Sequence, residues 1–204
     1  MAGEASMKPV TLDWAGVSDA EAALVSRCLA GDEQACTELV ETHQRMVFQL
    51  AYHLLGDKEE ALDLSQDVFL TVFRMLDRFR GQSALRTWVY RIVVNQARNR
   101  QRWWRRRYQS AQVPLDVHVS THGDLPSPAD ECGPERLLRQ KEQAERVWEA
   151  LRELPFDQRT ALVLREIDGL SYEEIGFSLN VAVGTVKSRL ARARQLLRAE
   201  LQES

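Results

Sequence analysis

The sequence predicts an all-α protein made of two small helical bundles joined by an extended segment. Three observations carry that prediction. No stretch of the 204 residues sustains the period-2 alternation of a half-buried strand. Apolar residues recur instead at helical steps of three and four, between N-cap residues and glycine stops. One segment, 109–134, loses this periodicity and holds four of the six prolines, Pro114, Pro126, Pro128 and Pro134, which is the composition of a linker.

The elements follow in order. Residues 1–18 are small and polar without periodicity, and read as disordered. Ser18 with Glu21 forms a capping box, and Leu24, Val25, Cys28 and Leu29 follow at helical spacing until Gly31-Asp32. A second helix covers about 33–55, closed by Gly56 at a C′ position. Asp57 caps a third over 58–79, ended by Gly81, and a fourth runs over 85–108. Beyond the linker, a helix over 135–154 meets Pro155, and another over 157–167 stops at Asp168-Gly169. A short helix, 171–179, then turns at Asn180-Val181-Ala182 into a final one starting at Val183. The expected organisation is a disordered 1–18, a first bundle 19–108, a linker 109–134 and a second bundle 135–204. The second bundle, four helices in roughly 70 residues, is of a size that folds alone.

The composition, 44% hydrophobic and 28% charged, is that of a soluble protein. No apolar run is long enough to cross a bilayer, and MAGEASMKPVTLDWAG lacks the basic-then-apolar order of a secretory signal. Cytoplasmic residence is the expectation. Cys28, Cys36 and Cys132 form no CxxC pair and read as buried or incidental thiols. The four histidines, at 43, 53, 118 and 122, are not spaced as a metal set. There is no glycine-rich phosphate loop and no HExxH. No catalytic residue, metal or cofactor is expected.

The net charge of −3 hides a segregation. Residues 78–115 hold 10 arginines, no lysine and no acid. Residues 1–77 carry a net −9 and residues 116–135 a net −5. A chain that needed only solubility would intersperse its signs. Separation on this scale points one segment at a polyanion. The acidity of the linker fits plain solvation, and fits equally mimicry of nucleic acid in a basic channel.

The last two helices, SYEEIGFSLNVAVGTVKSRLARARQLLR, have the form of a helix-turn-helix. Val183, Val186, Leu190, Ala193 and Leu197 make an apolar stripe. Gly184, Lys187, Ser188, Ala191 and Arg192 make a second, small and basic face. Small residues let a helix backbone approach the major groove, and Lys and Arg reach base edges and phosphates. A solvated helix packed on one side shows the same pattern, so the remainder of the chain decides.

In the fourth helix, LRTWVYRIVVNQARNRQRWWRRRY, Val89, Ile92 and Val93 suit a core, with Trp88 a better core anchor than Tyr90. Arg86, Arg91, Arg98, Arg100, Arg102, Arg105, Arg106 and Arg107 supply phosphate contacts. Interleaved Trp103, Trp104 and Tyr108 supply stacking faces for unpaired bases. Asn95 and Asn99 lie four apart on one face, with amides that suit base edges. A basic segment binding nucleic acid without sequence preference is the rival, and its place inside a helix argues against that. The third helix sets Asp63, Gln66, Asp67, Leu70, Arg74, Asp77 and Arg78 on one face, with Leu62, Phe69, Phe73 and Leu76 opposite as the buried side. The exposed face suits docking onto a basic partner helix, and a solvated face gives the same pattern.

Taken in order, three blocks resemble the extracytoplasmic-function (ECF) sigma factors of the sigma-70 family. DLSQDVFLTVFRMLDRF looks like the helix that binds core RNA polymerase. FRGQSALRTWVYRIVVNQARN looks like the promoter-melting loop and the −10 reading helix. LREIDGLSYEEIGFSLNVAVGTVKSRLARAR looks like the −35 reading helix-turn-helix. The resemblance implies an alternative sigma factor, without catalysis, for a stress or envelope regulon. It implies that Asp63, Gln66, Asp67 and Leu70 contact the clamp of the polymerase β′ subunit, with β also in contact with the chain. Arg80, Gly81, Gln82, Ser83 and Ala84 would hold a flipped base of the single-stranded −10 element. Asn95 and Asn99 would read its neighbours, with Trp88, Arg91, Arg98 and Arg102 on the same helix. Lys187, Ser188 and Arg192 would face the double-stranded −35 groove, with Gly184 allowing approach and Arg165 in support. Ser171, Tyr172, Thr185 and Arg189 would touch phosphates. An anti-sigma factor, often membrane-tethered, is the implied antagonist, with no membrane insertion by the chain itself. Ser65, Ala182 and Gly176 depart from the common pattern, Gly176 at a cost of about 1 kcal/mol of helix propensity. The alternative is a stand-alone helix-turn-helix regulator, a dimer that binds its operator tightly without polymerase.

Overall fold

Four of the helices start where a side chain takes up free amides of the first turn. The computed structural model describes residues 17–109 and 134–203. The first 16 residues, Cys132 and nearly all of the expected linker lie outside the described residues. Ser18 and Glu21 close a reciprocal capping box on α1 (Asp19–Leu29). The Asp32 carboxylate accepts from the Gln34 and Ala35 amides, 3.0 and 3.1 Å, opening α2 (Glu33–Leu55). That helix ends at Gly56, whose φ of 77° is left-handed. Asp57 accepts from the Glu60 amide at 2.8 Å to start α3 (Lys58–Met75). The α-helix stops four residues short of Phe79 because its last turn tightens into a 3-10 turn, Leu76–Arg78. The arginine-rich α4 spans Leu85–Gln109. The second bundle comprises α5 (Pro134–Glu153), α6 (Phe156–Glu166), α7 (Tyr172–Leu179) and α8 (Val183–Glu203). A second capping box, Ser171 with Glu174, starts α7, and Asn180 ends it in the left-handed region at φ 53°. The described residues contain no strand.

The first core is built by α2, α3 and α4 through Leu39, Val47, Leu50, Leu64, Val68, Val89 and Val93, all 1% exposed or less. The buried side of α3 differs from the sequence expectation. It is Ala61, Leu64, Val68 and Val72. Leu62 is 47% and Phe73 37% exposed, Phe69 is half-buried, and of the expected set Leu76 is buried. Adjacent helical stripes overlap, and the smaller residues are the ones that let α3 approach α2 and α4 closely. Ser65 stays on this crowded side by donating its hydroxyl to the Ala61 carbonyl, 2.6 Å.

A second correction concerns α4. Tyr90 is fully buried, whereas Trp88 is half-buried, tilted against Phe79 at 5.3 Å between ring centroids. Tyr90 is buried by the second bundle, whose α7 packs along α4 while α6 packs against α2. Gly176 has a role that its helix propensity does not show. A Cβ there would lie 2.9 Å from the Val181 carbonyl oxygen. The glycine therefore permits the tight turn between α7 and α8, and is not simply a weak helix former.

Candidate nucleic-acid interface

The α8 apolar stripe is buried at Val186, Leu190 and Ala193. This rotation leaves Gly184, Thr185, Lys187, Ser188, Ala191 and Arg192 exposed together on the opposite side. No acid stands on this side of the helix through its first three turns. The Tyr172 ring lies beneath two cations, with the Arg165 guanidinium 4.9 Å and the Lys187 Nζ 5.8 Å from its centroid. Arg165 also donates to the Leu170 carbonyl at 2.7 Å. These contacts orient two long side chains that would otherwise be free. Ser188 donates to the Thr185 carbonyl, 2.9 Å. Ser171 accepts from the Glu174 amide at 3.2 Å as an N-cap, so its hydroxyl serves α7 first. Arg189 is half-buried and pairs with Asp157 at 2.9 Å.

The α4 helix presents Asn95 and Asn99 outward, both exposed. Their neighbours in the chain set this rotation. Gln96 Nε2 donates to Thr71 Oγ1 at 2.7 Å and to the Asp67 carbonyl at 3.3 Å. Arg100 pairs with Glu60 at 2.7 Å and Asp67 at 3.2 Å. Gln96 and Arg100, four apart, thus grip α3 while Asn95 and Asn99, also four apart, face away. Further along, Arg102, Trp103, Arg105, Arg106 and Arg107 are exposed, with the Arg107 guanidinium 4.9 Å from the Trp103 ring centroid. In the preceding loop Arg80 and Gln82 are exposed, Ser83 and Ala84 half-buried, and Gly81 buried at φ 67°.

Not every arginine of α4 is open. Arg86 Nη2 donates to the Tyr90 hydroxyl, 2.8 Å, and to the Asp168 carbonyl, 3.0 Å. Arg91 lies 5.5 Å from the Phe177 ring centroid, and Arg98 pairs with Asp157 at 2.9 Å. Burial pushes the Tyr90 phenol above its usual range, with the Asp168 charge adding to that effect. Burial likewise raises the Asp168 carboxyl, against the Tyr90 hydrogen bond and the Arg86 charge, which lower it. These partners had no signal in the sequence, since an ion pair across 59 residues leaves no periodicity.

On α3, Asp63, Gln66, Asp67 and Leu70 are exposed in one row, Leu70 by 61%. A groove between α3 and α4 has Asp63, Asp67 and Leu70 on one wall and Asn99, Trp103 and Arg106 on the other. Among the described residues no group of three His, Cys, Asp or Glu could hold a metal ion. No described helix is long and apolar enough to cross a membrane. Cys28 is buried, and burial, with Cys36 behind it, pushes its thiol up to about 11.

Residues 39–108 match the sigma-70 region 2 family, and 144–197 match sigma-70 region 4. The RNA polymerase sigma-H factor of Pseudomonas aeruginosa is 38% identical over 179 residues, 88% of this chain and 92% of that protein.

The chain belongs to the ECF sigma factors of the sigma-70 family. The ECF RNA polymerase sigma-E factor of Escherichia coli K12 is 37% identical, over 88% of this chain and 93% of that one. The sigma factor RpoE of Bartonella quintana, solved with the anti-sigma factor NepR, superposes with a TM-score of 0.63 at 25% identity. That match covers 81% of this chain and 96% of RpoE. This ECF factor is thus an alternative sigma factor that directs transcription initiation, built from two helical domains. The stand-alone regulator reading is not favoured.

Proposed function

We propose that this sigma factor recognises its promoter with two separate heads. The α8 face of Gly184, Lys187, Ser188 and Arg192 enters the −35 major groove, with Arg165 held on Tyr172 in support, and Thr185, Arg189, Ser171 and Tyr172 touching phosphates. The α4 face of Asn95 and Asn99, with the 80–84 loop and Trp88, Arg91, Arg98 and Arg102, takes the single-stranded −10 element. Asp63, Gln66, Asp67 and Leu70 dock on the polymerase β′ clamp. The domains are region 2, 19–108, and region 4, 135–204, joined by the linker 109–134, which runs through the polymerase cleft. The chain works in the cytoplasm, carries no catalysis of its own, and is antagonised by an anti-sigma factor.

The single observation that carries this reading is the outward pairing of Asn95 and Asn99 beside the inward grip of Gln96 and Arg100. It offers amides to base edges from a helix that α3 prevents from turning. Melting then follows from differential binding. An unstacked base held by the protein contributes about 1–3 kcal/mol that closed duplex cannot gain. Two modest heads become strong together only when polymerase sets their separation. Run-off transcription with purified core polymerase on envelope-stress promoters tests the proposal. A start-site-specific transcript that depends on the chain is expected. Core retained by the chain with no such transcript would overturn it.

A further inference from the structure

We propose that the C-terminal end of α4, Arg102–Arg107, is a separate site for paired DNA. Trp103 stacks on the last closed base pair bordering the −10 element, and the arginines around it hold phosphates of both strands. The site rests on the −10 roles proposed above and extends them to the edge where melting stops.

The row of side chains along α4 sets the order of contacts. Asn95, Asn99 and Trp103 stand four residues apart and Arg106 three further on, and all are exposed. Such steps keep residues on one helix face. The 80–84 loop lies at the opposite, N-terminal end of α4. A strand with a flipped base in that loop, and its next bases at Asn95 and Asn99, reaches Trp103 last. Trp103 is roughly 6 Å of helix beyond Asn99, close to two base steps of about 3.4 Å. DNA towards the −35 element stays paired, so this end of the row meets the closed duplex.

The local shape agrees. Asn99 borders two concavities. In the groove between α3 and α4 it shares a wall with Trp103 and Arg106. The second is lined by Asn99, Arg102, Arg105 and Arg106. Three guanidinium groups thus converge beside the last base-reading amide. Residues 102–107 include no acid, and among the described residues no ion pair engages these three arginines, whereas acids hold Arg98 and Arg100. Trp103 is 47% exposed, and the Arg107 guanidinium lies over its ring. A ring backed on one side by a cation offers its other side to a base.

Charge density decides between paired and unpaired DNA. Arg102, Arg105, Arg106 and Arg107 place four cations in six residues, roughly 7.5 Å of helix. Duplex DNA carries one negative charge per about 1.7 Å of axis, so about four over that length, where a single strand offers about two. The arginines match the duplex. Periodicity alone assigns Trp103 to unpaired bases, and its arginine neighbours move it to the pair at the border.

The test uses holoenzyme assembled from the full chain and core polymerase. Two fluorescein-labelled probes carry the same −10 strand of a promoter that the chain transcribes. One is a fork, paired upstream as far as the border, and the other is the single strand alone. Anisotropy reads both, and the fork-to-strand ratio cancels any change in core affinity. Trp103→Ala should weaken the fork about tenfold and leave the strand unchanged, while Trp103→Phe keeps most of the fork affinity. Arg105→Ala with Arg106→Ala should flatten the slope of log affinity against log salt by roughly two for the fork, and not for the strand. Equal losses on both probes would put Trp103 on an unpaired base and overturn the site. So would a fork that neither variant weakens, or loss of core polymerase by Trp103→Ala in a pull-down, which gives the ring to a protein partner. Asn99→Ala separates the two ideas. It should weaken both probes alike. No effect on either probe sinks the −10 roles themselves, whereas an effect on both beside an unchanged Trp103→Ala fork sinks the duplex site alone.

Discussion

His53 links the two bundles, and its titration reports whether they touch. It lies in the last turn of α2 and stacks on Trp148 of α5, with ring centroids 4.4 Å apart and planes 17° apart. Its Nδ1 is buried without a hydrogen-bond partner among the described residues. Burial lowers its pKa from the ordinary 6.5 to about 4. A helix C-terminus favours a cation by roughly 0.3–1 kcal/mol. A shift of this size corresponds to about 3 kcal/mol, so desolvation wins. The unfolded chain takes up a proton as pH falls through about 6.5, while the folded chain waits until about 4. Between those values the unfolded state binds more protons, so stability falls with pH. The contribution is whole at about pH 7 and is lost, by about 3 kcal/mol, once pH reaches the folded value. Urea denaturation of wild type and His53→Phe at neutral pH and near pH 4 measures it. His43, also lowered by burial, is present in both proteins and cancels. Wild type should lose about 3 kcal/mol more than the variant. NMR titration of the His53 ring offers the direct reading. A midpoint near the ordinary value, or equal acid losses in both proteins, would refute the packing of α2 on α5.

Further outcomes can be set against other measurements. Asp67→Arg should abolish binding to core polymerase in a pull-down while circular dichroism stays unchanged, because Asp67 is a 56% exposed side chain. Lys187→Ala or Arg192→Ala should lower discrimination between a matched and a mismatched −35 element by about 1–3 kcal/mol, measured by competition for holoenzyme. Gly176→Ala should destabilise the chain in thermal melts even though alanine gains about 1 kcal/mol of helix propensity, because its Cβ meets the Val181 carbonyl at 2.9 Å. Arg100→Met should leave core binding intact yet weaken −10 base discrimination, since α4 loses its grip on Glu60 and Asp67; unchanged discrimination would show that Gln96 holds the rotation unaided.

Much of the helix plan was legible because caps and stops are local chemistry. Ser18, Asp32, Asp57 and Ser171 each accept from an amide within three residues, and such signals survive in a one-dimensional string. The α8 faces were legible too, since a stripe of Val186, Leu190 and Ala193 fixes where Lys187 and Arg192 point. The buried side of α3 was not. Two neighbouring stripes both carry apolar residues, and closeness of approach by Ala61, Leu64, Val68 and Val72 chose between them. The close approach at Gly176 was hidden for the same kind of reason, because the atom it makes room for belongs to the next turn.

By itself the sequence determined the helices, their two-bundle grouping and the family, since all three rest on spacings within a few dozen residues. Which arginines stand open and which are held was decided only in three dimensions. Arg98 and Arg189 are alike in charge to Arg102 and Arg192, yet the first two meet Asp157 while the others face outward. An ion pair needs two side chains within a few ångströms, and the folded path of the backbone alone brings residues so far apart in the chain to that distance.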